Sequence, residues 1–257
     1  MRRIVLILVL LAAVPLGAGI AYGERVKRGD LLLSFNVGFT PHALPREQPA
    51  PVIVDLKGTV HTSSGEDPPQ LRSISLDVNR YGQFYTRGLP VCPRGQLEST
   101  TTEVALERCR SALVGRGSFG ATVDFADHDP FPVGGKILAF NGRSGGRPII
   151  LMHIYGENPV KATIVLKFKI THQPGIFGTV LSAKIPIIAS DLGSVTKISL
   201  TFGRKYRHEG KERSFISARC AAPEGFPGAP FPLAKGTFVF ANDQKVTMTL
   251  TRNCRVR

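Results

Sequence analysis

The 257 residues contain no tryptophan, five tyrosines and three methionines. Aromatic rings with a polar edge build most sugar-binding faces and many interfaces. Their scarcity argues against a carbohydrate-binding module. The six histidines are His42, His61, His128, His153, His172 and His208, and none forms an H-x-x-x-H pair or shares a cysteine–histidine zinc pattern. Ser118 lies in Gly117-Ser118-Phe119-Gly120, which lacks the leading glycine of a nucleophile elbow and precedes a strand, not a helix. There is no internal repeat and no low-complexity linker.

Acidic residues are scarce in one half only. Residues 24–142 hold 13 Lys/Arg and 13 Asp/Glu, a balance of zero, whereas residues 143–257 hold 18 and 6, a balance of +12. A one-sided positive field favours anionic partners such as envelope polymers or acidic lipid surfaces. Nucleic acid is not expected, because the front of the chain directs export. Met1-Arg2-Arg3 is a short positive region, Ile4 to Val14 is an apolar run ended by Pro15, and Ala21-Tyr22-Gly23 fits a cleavage site. Pro15, Gly17 and Gly19 make an uncleaved anchor a poor span, since about 20 apolar residues are needed to cross a bilayer. Residues 1–23 therefore read as a signal peptide, with no transmembrane span after its removal. The mature chain is expected to be secreted or associated with the cell envelope, in an oxidising, extracytoplasmic space.

Four cysteines, Cys92, Cys109, Cys220 and Cys254, allow three pairings, of which neighbour with neighbour is favoured. A Cys220–Cys254 bridge closes a loop of about 34 residues, worth roughly 3–4 kcal/mol on the chain-entropy scale. Cys109 sits in the one stretch that reads as helix. Thr100, Thr101 and Thr102 offer N-cap hydroxyls, Glu103 suits the first turn, and Ala105, Leu106, Cys109, Ala112 and Leu113 recur with helical spacing before Gly115. Cys92, between Pro90 and Pro93, lies outside that helix, so a Cys92–Cys109 bridge pins the helix to the strand leading into it.

The remainder reads as strands. Lys161 to His172 alternates most clearly, with Ala162, Ile164, Leu166, Phe168 and Ile170 on one face and Lys161, Thr163, Lys167, Lys169 and Thr171 on the other; Val165 is the exception. Further strands are predicted at 31–39, 52–60, 71–78, 83–87, 118–125, 136–140, 148–155, 179–189, 195–202, 214–220, 236–241 and 245–251. About a dozen strands and one short helix define an all-β fold, an antiparallel β-sandwich or jelly-roll-like arrangement. Residues 24–257 read as one such domain; two smaller sandwiches split near 142–147 are the alternative.

Three candidate sites follow. Arg204, Lys205, Arg207, Lys211 and Arg213, with the outward Lys161, Lys167 and Lys169, are placed to form an anion-binding patch. Asp124, Asp127 and Asp129 are weak candidates for Ca²⁺, without any calcium-loop spacing; Pro130 and Pro132 behind them suit an exposed turn. Asp127 and His128 beside a serine are what a hydrolase cleft would need. His153, in an apolar strand, reads as a satisfied core residue. Fifteen phenylalanines point to a dry core or an apolar pocket between the sheets.

The segments LPVCPRGQLESTTTEVALERCRSALVG and FPVGGKILAFNG and the tail from Ser214 resemble a family of exported, cysteine-bridged β-rich proteins from high-GC actinobacteria. The resemblance implies export and the two cysteine pairs. It implies no activity, ligand or catalytic residue. The expectation is a non-enzymatic exported protein without cofactor or metal, holding to anionic envelope components through its basic half. A carrier of an apolar ligand between the sheets and a secreted hydrolase are the alternatives.

Overall fold

A computed structural model describes residues 24–125, 128–158, 161–187 and 193–257. The predicted signal peptide lies outside the described residues. In chain order the first strands are β1 (Glu24–Arg28), β2 (Leu31–Thr40), β3 (Ala43–Leu44), β4 (Ala50–Pro51), β5 (Ile53–Thr62), β6 (Leu71–Asn79) and β7 (Gly82–Phe84). The helix α1 (Thr102–Cys109) follows. Then come β8 (Leu113–Phe125), β9 (His128–Ser144), β10 (Arg147–Asn158), β11 (Ala162–His172), β12 (Phe177–Lys184) and β13 (Gly193–Phe202). The chain finishes with β14 (Lys205–His208), β15 (Lys211–Ser214), β16 (Ile216–Ala218), β17 (Gly228–Phe240) and β18 (Lys245–Val256).

Thirteen of these strands form one sheet in the order β1-β2-β5-β13-β8-β9-β10-β11-β12-β6-β17-β18-β3. Every neighbouring pair is antiparallel except β18 with β3. The sheet curls until its two ends meet. Arg252 of β18 donates from Nε to the Val37 carbonyl of β2 at 2.9 Å and from a terminal nitrogen to Asn36 Oδ1 at 2.6 Å. Phe35 of β2 meets Phe238 of β17 edge-on, with ring centroids 5.5 Å apart. Among the described residues no backbone ladder joins β18 to β2, so side chains close this seam. The facing layers of the sandwich are thus two halves of one continuous curled sheet.

Alternation decides which face turns inward. Along β2, Leu31, Leu33, Phe35, Val37 and Phe39 are buried, while the residues between them are polar or more exposed. Val246, Met248 and Leu250 do the same on β18. Strands β9 and β10 are apolar on both faces, and α1 explains why. Ile137, Ala139, Ile150 and Met152 face the interior. Leu138, Phe140, Ile149 and Leu151 point outward into a second core with Leu97, Ala105, Cys109 and Ala112. Val165, which breaks the alternation of β11, packs against this second core.

Thr101 is the N-cap of α1, its hydroxyl accepting from the Val104 amide. Both expected bridges are formed: Cys92–Cys109 ties the helix to the chain leading into it, and Cys220–Cys254 ties the segment after β16 to the end of β18. Five short strands were not legible in the sequence: β1, β3, β4, β14 and β15. β1 reads ERVKR, and its charges conceal a partner for β2, paired from Glu24–Phe35 to Arg28–Leu31. The basic stretch after β13 is the hairpin β14–β15. Glu209 and Gly210 both take positive φ, 52° and 72°, as a tight two-residue hairpin turn requires.

Curling on this scale needs backbones to approach closely. A Cβ on Gly117 would lie 1.9 Å from the Ser199 carbonyl oxygen, and one on Gly135 the same distance from that of Tyr155. Both are walls of backbone that cannot swing aside. Gly135→Ala is expected to lower stability by about 1–3 kcal/mol. A urea midpoint equal to wild type would show that the curl does not depend on this contact.

Candidate functional site

The curled sheet encloses a cavity of about 460 Å³. Leu33, Leu56, Leu76, Phe119, Ile154 and Ile164, from six different strands, are among the side chains lining it. Ile74, Leu76, Val78, Phe119, Ile154, Ile164 and Ile198 point inward yet are only half-buried, because they face open space instead of other atoms. Protein interiors normally leave few voids larger than a water molecule. Charge lies on the other face: Asp55, Lys57 and Lys169 are exposed on the outside of β5 and β11. A charged exterior around an apolar interior is the inverse of a transmembrane β-barrel. No helix among the described residues is long and apolar enough to cross a membrane.

One end of the cavity is plugged. There β4, β16 and β7 form a three-stranded sheet. Phe215, fully buried, packs edge-on against Phe84, whose ring also lines the cavity. The hairpin β14–β15 braces this plug. Arg204 donates to the Arg110 and Leu113 carbonyls, Tyr206 Oη to those of Tyr85 and Arg87, and the Arg213 guanidinium lies 5.1 Å from the Tyr85 ring centre. Burial pushes the Tyr206 phenol up to about 12, so it stays a donor.

At the other end, residues 63–70 run from β5 to β6, third and tenth in the sheet order, and so cross the end of the curl. The Asp30 carboxylate anchors the start of this strap, accepting from the Ser64 amide at 3.0 Å, from Ser64 Oγ at 2.8 Å and from Ser63 Oγ. Those hydroxyls hold the Asp30 carboxyl below its usual range. Ser194 Oγ donates to the Pro68 carbonyl, and the Ala241 amide to that of Gln70 at 2.8 Å. Pro68 and Gln70 are buried, and the adjoining Gly193 and Leu71 line the cavity. Ala162, exposed and lining the cavity, marks where the interior meets solvent.

The sequence-predicted sites are distributed as follows. Of the basic residues, Arg204 is taken up by the Arg110 and Leu113 carbonyls between α1 and β8, Arg213 lies over the Tyr85 ring beside the plug, and Lys205 pairs with Glu212 at 3.3 Å. Arg207 and Lys211 are exposed on the hairpin. Lys167 and Lys169 lie on the outer face of β11, and Lys161 borders a small polar depression with Thr100, Thr101, Tyr155 and Thr163. Among the described residues, no hydrogen bond or ion pair joins the β11 lysines to the hairpin. Asp127 lies outside the described residues; Asp124 and Asp129 are exposed near the β8–β9 tip. No cluster of three potential metal ligands occurs among the described residues, nor are a serine, a histidine and a carboxylate linked there by hydrogen bonds.

His153 is buried on the outer face of β10, beneath the chain leading into α1. Its Nε2 donates to the Thr100 carbonyl at 2.9 Å, with Thr100 Oγ1 at 3.2 Å, while Nδ1 has no partner among the described residues. The cavity was foreshadowed only by the phenylalanine count and the inward alternation, since neither tells a filled interior from a hollow one.

No protein-family model, curated protein or solved structure matches this chain.

Burial holds the His153 imidazole below its ordinary value, so it is neutral near pH 7. The unfolded chain titrates it near the usual value of about 6.5. Between the lowered folded value and about 6.5 the unfolded state binds more protons, so stability falls as pH drops through that window. His153→Gln keeps a donor for Thr100 and removes this term. Its melting temperature is expected to fall less steeply than wild type from pH 8 to pH 5; equal slopes would assign the acid response to other groups.

Proposed function

We propose that this chain is an exported, non-enzymatic container that carries an apolar ligand inside its curled sheet. The observation that carries the reading is the 460 Å³ cavity with an apolar wall. At about 24 cal/mol per Å³, an unfilled cavity of this size costs on the order of 10 kcal/mol, comparable with the whole stability of a typical domain. Water gains little in such a space, because it finds no polar partners. Two disulfides, helix packing on the outer face and a plug at one end all keep the wall in shape around the cavity. The disulfides also fit an oxidising, extracytoplasmic compartment, which suits the signal peptide read in residues 1–23.

The test is binding of the uncharged dye N-phenyl-1-naphthylamine to the purified protein, together with mass spectrometry of its solvent extract. Dye emission should rise on binding, and Ile164→Trp, which projects an indole into the cavity, should cut the bound amount at least fivefold while the fold survives. No dye binding and a lipid-free extract would overturn the reading.

A second role, adhesion to anionic envelope polymer or acidic lipid, is supported by Arg207, Lys211 and Lys169, which are exposed and free of ion pairs among the described residues. Such adhesion would keep a carrier near its source of ligand. Co-sedimentation with isolated envelopes should then fall as salt rises, and Arg207→Gln/Lys211→Gln should weaken it at low salt. Binding that ignores both changes would remove this role.

A further inference from the structure

We infer that the molecule held in the cavity is uncharged and enclosed whole, so that anionic amphiphiles such as fatty acids are rejected; this inference rests on the carrier reading above. Three observations converge on it. First, the lining is almost wholly apolar: Ser34, Thr59, Thr196 and Lys197 are its only polar or charged residues, and Lys197 is exposed and pairs with Thr59 on the face of β5 that carries Lys57. Leu33, Leu71, Val133, Ile185 and Val195 line the half of the cavity nearest the strap, where a head group would have to sit. The charged residues of the same strands point away: Lys57 on β5 and Lys169 on β11 are exposed on the outer face.

Second, most of the backbone around the cavity is already engaged in sheet ladders. β10 pairs on both sides, from Ile149 to Gly156 with β11 and from Arg147 to Asn158 with β9, whereas β11 pairs with β12 only from Lys169 to His172. A carboxylate drawn inside would lose its hydration without gaining donors, which is the costly case for a buried charge.

Third, the end of the cavity opposite the plug is crossed by the 63–70 strap. This segment carries Glu66 and Asp67 and no lysine or arginine, and it is anchored on the Asp30 carboxylate. The buried Pro68 and Gln70 bring it down beside the cavity-lining Gly193 and Leu71. Glu66 and Asp67 are exposed on this strap, while Arg72 donates to Gln70 Oε1 at 2.7 Å and Lys161 adjoins the exposed Ala162.

The experiment is competition against bound N-phenyl-1-naphthylamine at pH 8 with three ligands of one chain length: dodecanol, methyl dodecanoate and dodecanoate, each below its aggregation limit. Dodecanol and methyl dodecanoate should displace the dye with midpoints at least tenfold lower than dodecanoate. Dodecanoate midpoints within twofold of the alcohol would overturn the charge selectivity while leaving the carrier reading intact. Failure of the dye to bind a protein whose solvent extract is lipid-free would overturn both.

Discussion

Arg252 stands where the sheet meets itself. A thirteen-stranded sheet has two edges, and unpaired edges are a liability unless something covers them. Here the covering is mutual. β1 extends β2 over Leu31–Phe35, and beyond it the guanidinium of Arg252 takes up the Val37 carbonyl and the Asn36 side chain. Burial lowers the Arg252 pKa and the Glu24 carboxylate opposes that shift, yet a guanidinium keeps its charge under any ordinary condition. It is therefore a dependable donor at a position where no backbone amide reaches. If this seam did not close, the inward face of β2 and the inward face of β17 would both lie open to water, and the cavity would be a trough.

The remaining devices serve the same geometry. Glycines at 117 and 135 let backbones approach where any side chain would collide with a carbonyl. The helix and its disulfide cover the outer face of β9 and β10, so these strands are apolar on both sides and form the most buried part of the wall. The plug and the strap act at opposite ends. The plug is an extensive packing of Phe84, Phe215 and Ile216. The strap is held chiefly by a few hydrogen bonds at Asp30, Ser194 and Ala241. Regions with few apolar contacts open at lower free energy than packed ones, which makes the strap the easier of the two ends to move.

Much of the local structure could be read from residue order. The alternation in β2, β6 and β11 marked them as half-buried strands, the threonine run marked the start of α1, and the spacing of the cysteines favoured the pairing that is found. Val165 showed where such reading stops. Its apolar side chain on a polar face is an anomaly until α1 is placed above it. β1 failed for a related reason: ERVKR has no apolar pattern of its own and is ordered by a neighbour. The basic residues of this stretch looked alike in the sequence, but Arg204 ties it to the chain between α1 and β8 and Arg213 packs over Tyr85, while Arg207 and Lys211 remain at the surface.

The sequence alone determined the all-β class, the single helix and the alternation of faces, because side-chain period and capping chemistry act over a few residues. Only the tertiary structure decided that thirteen of the strands make one sheet, that this sheet returns on itself, and that its interior is hollow. Curvature and closure depend on pairings between residues as far apart as Val37 and Arg252. An inward isoleucine carries the same pattern whether it meets another side chain or the open space of a cavity.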